Sequence, residues 1–264
     1  MRTESHPHNL SRRRPHTSSY RASIFSVANL HTETLNIWSH LLGTLWFGAI
    51  FVRFAAVHQG PLTRDAVGVS LYLAATVLCF ASSTLYHVFA DHVHARFWLR
   101  IDHAGIVCAI WATSVSFTLA SLEYRQGEQL ACTALVTGAA AVSLARLARI
   151  QEHHATCQKD RLSAHVALGV VAAMPWLRCW YLHVQGQRVE LLREFRSLVV
   201  MNSFGGGIYA THILDKAIGM DLGLPDISHH FMHVAVVFGA LMYWPGLSAF
   251  YEARVAANGP WRCL

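Results

Sequence analysis

Seven stretches of predominantly apolar residues, near 37–57, 67–90, 98–121, 129–148, 162–184, 194–214 and 227–250, constrain this chain more than any motif in it. About 20 apolar residues in a helix cross the ~30 Å hydrocarbon core of a bilayer. Runs of that length predict helices that satisfy their own backbone in lipid, whereas membrane strands need only about 9–11 residues. Composition agrees, since only 14% of the 264 residues are charged and 53% are hydrophobic, against roughly a quarter charged in soluble domains. The connections are short, which makes neighbouring helices antiparallel. The expected fold is an all-α membrane protein, a single seven-transmembrane helix bundle without internal repeats.

Three regions follow: a polar, flexible cytosolic tail at 1–35 with an interfacial helix near its end, the seven-helix domain at 36–252, and a short C-terminal tail at 253–264. Orientation is read from Lys and Arg near the helix ends. Twelve fall on the side of the N-terminus, five of them in the tail, and nine on the other side. This places the N-terminus in the cytosol, and an odd number of spans places the C-terminus outside. The net charge of +6 is spread over the connections instead of forming a stripe, so it reads as membrane topology and excludes a nucleic-acid partner. Six cysteines without a Cys-x-x-Cys pair predict no disulfide framework. The polar start predicts no cleavable signal peptide, and the sequon Asn9-Leu10-Ser11 is expected on the cytosolic side and unused. The expected location is the cell membrane, with an internal membrane as the alternative.

Antiparallel threading brings the polar residues of four spans to one depth. Glu33, Asn36, Ser39 and His40 open the first span, Ser83 and His87 close the second, Asp102 and His103 open the third, and His229, His230 and His233 open the seventh. Polar groups inside a bilayer are costly and mark function. His229 and His233 are four apart and share a helix face. With His87 they would supply three neutral nitrogens suited to Zn²⁺, with a fourth position open for water. Asp102 is then placed to accept a hydrogen bond from that water or from a histidine. Ser83, one turn before His87, could bind the water or a substrate carbonyl. Zinc would bring the pKa of its water towards ~7.

Other residues have plainer readings. His40, His103, His165 and His212 are expected as polar-tipped anchors near the interface, and His230, about 100° from the pair, as structural. Gly205-Gly206-Gly207 reads as a close helix contact, since no Lys-Ser or Lys-Thr follows. Trp38, Trp98 and Trp244 read as interface anchors, and Pro175 and Pro245 as kinks.

Glu33-x-x-Asn36-x-Trp38-Ser39-His40, Ser83-x-x-x-His87, Asp102 and His229-x-x-x-His233, in this order, resemble the progestin and adipoQ receptor family, which includes haemolysin III-like proteins. The similarity covers nearly all of residues 22–252, and the wording around His31-Thr32-Glu33-Thr34 and Asn36-Ile37-Trp38 is closest to the adiponectin-receptor and fungal osmotin-receptor branch. The resemblance implies seven helices with a cytosolic N-terminus and zinc held by His87, His229 and His233, with Asp102 bonded to the zinc water. It also implies ceramidase-like hydrolysis, receptor signalling, and control of lipid and zinc balance. His230 stands where a different polar residue is commoner in the family.

Three readings remain open. In the first, a zinc-dependent amidase acts on a ceramide-like membrane lipid, with Asp102 moving the proton and Ser83 steadying the oxyanion. In the second, a receptor takes an extracellular ligand and its zinc is structural, clamping the second and seventh spans. The third, a channel or transporter, lacks an evident ring of charges through the core. Three histidines without a fourth protein ligand favour an open, catalytic position.

Overall fold

The computed structural model describes residues 13–58, 63–150, 156–219 and 226–258. The Asn9-Leu10-Ser11 sequon and the end of the C-terminal tail, Gly259 to Leu264, lie outside them. Among the described residues the regular structure is helical: α1 (Tyr20–Ser26), α2 (Thr34–Val57), α3 (Arg64–Val88), α4 (Ala95–Ser121), α5 (Gln126–Arg149), α6 (Cys157–Ala172), α7 (Met174–Val184), α8 (Leu192–Thr211) and α9 (Ile227–Asn258). One π-helical turn, Asp215–Gly219, leads out of α8.

Six of the spans among the described residues are long and apolar enough to cross a membrane: α2, α3, α4, α5, the α6–α7 pair and most of α9. The chain is therefore an all-helical membrane protein. At 20 residues α8 is long enough, but Arg193, Glu194 and Arg196 at its start and three successive glycines lower its apolarity. It nevertheless packs along α9. Gly205 makes that approach close, because a Cβ there would lie 2.7 Å from the Ala235 Cβ. Gly206 and Gly207 face nothing within 4 Å, so the expected glycine contact narrows to one residue.

Pro175 divides the fifth span into α6 and α7, having no N–H to continue the ladder. The buried Ser114 hydroxyl donates to the Ala172 carbonyl at this break, at 2.8 Å, which meets the need of freed backbone groups inside lipid. Pro245 lies within an unbroken α9.

The helices α3 and α4 are the most buried and form the centre, with α2, α5 and α9 around them. Away from the polar end the core is aromatic and aliphatic: Phe47, Tyr72, Phe80, Phe117, Phe195 and Tyr243 are all buried. Tyr72 satisfies its hydroxyl on the Ala240 carbonyl at 2.8 Å. At the far end of α9, Arg254 pairs with Asp65 at the start of α3 and with Glu123 just after α4.

At the opposite end, the polar segment before α2 packs on the bundle from Arg14 onwards. Thr17 exchanges backbone hydrogen bonds with Asp91 and Val93, and the Tyr20 ring stacks on His92 with centroids 4.0 Å apart. The Arg14 side chain inserts into the end of α3. Its guanidinium pairs with Asp91 at 2.9 Å and donates to the carbonyls of His87 at 2.7 Å and Val88 at 3.0 Å. A fixed cation thus meets the carbonyls that end α3.

Candidate metal centre

His87 comes from the last turn of α3, and His229 and His233 from the first turns of α9. Because α3 runs towards this end and α9 starts from it, the three imidazoles converge, and one nitrogen of each lies within 4.8 Å of the others. His87 and His233 are buried and His229 is partly exposed.

The roles of the nitrogens differ. The Nδ1 of His87 meets the Glu33 carboxylate at 2.7 Å, which leaves its Nε2 buried without a partner. The Nε2 atoms of His229 and His233 face each other at 3.1 Å. Two nitrogens bound ~2.0–2.1 Å from a tetrahedral zinc sit roughly 3.3 Å apart, so this pair is spaced as two ligands of one ion. Asp226 lies 3.7 Å from the other nitrogen of His229. Two of the three rings therefore have a carboxylate on the side away from the convergence, the arrangement that orients histidine ligands. The donor set fits a borderline-soft divalent cation.

Electrostatics follow the same pattern outside the spans. Burial raises the Glu33 carboxyl, but its bond to the His87 imidazole prevails, helped by the Asn36 amide, and holds it down to about 2. His229 keeps the Asp226 carboxyl below its ordinary value.

Asp102 and Ser83 lie at the same end of the bundle as the three histidines. They are buried neighbours on α4 and α3. The Asp102 Oδ1 is buried and has no hydrogen-bond partner. His230 faces away and meets the Thr32 carbonyl at 2.9 Å through its Nε2, as a structural residue should.

The expectation of interfacial anchors does not hold for His40. It is 4% exposed and its ring lies 4.0 Å from that of His233, because the α2 face carrying Glu33 and Asn36 turns into the bundle and carries His40 with it. Nor do His103 and His165 act alone, as His103 Nδ1 meets His165 Nε2 at 2.9 Å between α4 and α6. His212 is at the end of α8, with its Nδ1 3.3 Å from Asp215. Sequence reasoning also passed over Glu33 as the partner of His87. A carboxylate one residue before an apolar span, with Asn36 one turn on, was the available signal.

Residues 28–244 match the family model described as haemolysin-III related. Over 258 residues the chain is 24% identical to progestin and adipoQ receptor-like protein 1 of Caenorhabditis elegans, covering 94% of this chain and 58% of that protein. It is 20% identical over 249 residues to the adiponectin receptor protein of Drosophila melanogaster, covering 92% and 56%. Over 269 residues it is 26% identical to progestin and adipoQ receptor family member 3 of Homo sapiens, covering 92% and 83%. The chain thus spans little more than half the length of the worm and fly proteins.

Proposed function

We infer a function from one premise, that this chain belongs to the haemolysin-III-related family: it is an integral membrane protein that we read as a zinc-dependent hydrolase of ceramide-like lipid amides. We place seven spans in the membrane, counting α8, with the N-terminus in the cytosol and the C-terminus outside. The observation that supports the reading is the convergence of His87, His229 and His233 beside a buried Asp102 whose Oδ1 lacks a partner. Those three histidines would hold the ion. Bound there, zinc would polarise the scissile carbonyl and bring the pKa of a water towards ~7.

The chain's own residues supply the rest. Asp102 takes the proton of the attacking water and returns it to the leaving amine nitrogen. Ser83, on the same helix face as His87, turns its hydroxyl to the carbonyl oxygen as charge develops there. Glu33 and Asp226 hold the rings of His87 and His229. The exposed apolar side chains of α2, among them Leu35, Leu42 and Leu45, suit a helix that faces lipid, the phase in which a two-tailed substrate resides.

A second reading is a receptor with structural zinc, supported by the names of the relatives and by the fact that the histidines tie α3 to α9. Zinc content and ceramide hydrolysis, measured together on detergent-purified wild type, His233→Ala and Asp102→Asn, separate the two. The hydrolase reading expects near-stoichiometric zinc with turnover in the wild type and loss of both in His233→Ala. It also expects zinc without turnover in Asp102→Asn. Zinc without turnover in the wild type would assign the structural clamp.

A further inference from the structure

We propose that Asn36 and His40, one turn apart on the inward face of α2, form a hydrogen-bonding subsite for a hydroxyl group of the bound lipid, beside the three converging imidazoles. The identity of the ligand rests on the lipid-hydrolase reading above; the subsite itself rests on the geometry of α2.

Both residues are buried, Asn36 at 2% and His40 at 4% exposure. The Asn36 Nδ2 donates to the Glu33 Oε2 at 3.1 Å, which fixes the amide with its oxygen turned elsewhere. That Oδ1 is buried without a partner, and so are both ring nitrogens of His40. A membrane-spanning helix has no bulk water to supply what is missing, and unsatisfied buried polar atoms require a ligand, an ion or a bound water. His40 is not among the three histidines whose nitrogens converge.

The chemistry of the vacant atoms names the class of ligand. The Asn36 Oδ1 only accepts, whereas a neutral imidazole donates through one nitrogen and accepts through the other. A hydroxyl both donates and accepts, so one such group can give its proton to Asn36 and take one from the His40 N–H. The two residues are four apart and face the same way. Packing alone does not call for a polar residue at 40, whose ring lies against Phe80 with centroids 4.9 Å apart. An apolar ring would fill that place without leaving polar atoms unpaired.

The hydroxyl could come from the lipid head or from an internal water, and binding experiments on the full chain distinguish the two. The probes are a long-chain ceramide and its analogues lacking the C1 or the C3 hydroxyl, titrated by thermal shift of the detergent-purified protein. Wild type is expected to bind ceramide about tenfold more tightly than one of the two analogues, the loss that follows when a buried polar pair goes unmatched. In His40→Phe and Asn36→Leu the preference shrinks to below about threefold, with zinc content unchanged, and His40→Gln, which keeps a donor and an acceptor, recovers part of it. A wild type indifferent to the hydroxyls would overturn the proposal and leave water as the occupant. So would variants that keep the preference, or a loss of zinc in His40→Phe with the preference intact. Discriminating binding without any turnover would retain the subsite while removing the hydrolase reading, so the two can fail separately.

Discussion

His87 shows how one side chain is prepared from both ends. Its Nδ1 is taken by Glu33 at 2.7 Å and its backbone carbonyl by Arg14 at 2.7 Å, so ring and main chain are both held while Nε2 is left free. Glu33→Gln keeps a hydrogen-bond acceptor and removes the charge that raises the basicity of the ring. Competition with a chelator is expected to show zinc affinity lowered 10–100-fold, and an unchanged affinity would mean that Glu33 merely packs. At this scale the sequence was legible where chemistry and spacing coincide. The i, i+4 pair His229–His233 and the shared depth of His87, Asp102 and Ser83 required only antiparallel threading. Glu33 and His40 were not legible to the same degree, because their partners lie 54 residues away in one case and on the last helix in the other. Nothing local distinguishes a histidine facing the bundle from one facing the headgroups.

Among the elements, α9 matters most to the site, since it carries two of the three histidines and its position depends on α8. Gly205 sets that distance, with Met232 and Ala235 opposite it and His233 between them in sequence. Gly205→Val adds bulk where a single Cβ already meets Ala235, and overpacking of this kind costs about 1–3 kcal/mol. The thermal midpoint should fall by roughly 2–10 °C, with zinc retention weakened as α9 shifts. Gly207→Ala faces open space and should stay within about 0.5 kcal/mol of wild type. Equal effects of the two substitutions would refute the close contact. The break of the fifth span was readable from Pro175, a purely local effect on the backbone. The narrowing of three glycines to one was not, because the direction each faces depends on how α8 is rotated against its neighbour. The charged start of α8 and its three successive glycines are both visible in the sequence.

For the whole molecule, the proposed topology puts the Arg14 end in the cytosol and the Arg254 end outside. Single cysteines in a background without the native six, placed at Ser18 and Glu252, should be labelled by an impermeant reagent only after permeabilisation for the first and without it for the second. Labelling of both from the same side would remove either α8 from the membrane or the orientation. Charge bias among short loops carried that reading. It could not carry the docking of residues 14–33, which depends on contacts such as Arg14 with Asp91, 77 positions on. The order of the three histidines along the chain has a consequence in time as well as in space. His87 leaves the ribosome early, and His229 and His233 follow only after more than 140 further residues have been made. The cluster of imidazoles therefore does not exist in any chain that stalls or is cut before α9. Loading with metal would then report that synthesis and insertion have reached α9, so that an ion-bearing molecule is one whose α3 and α9 have both been placed.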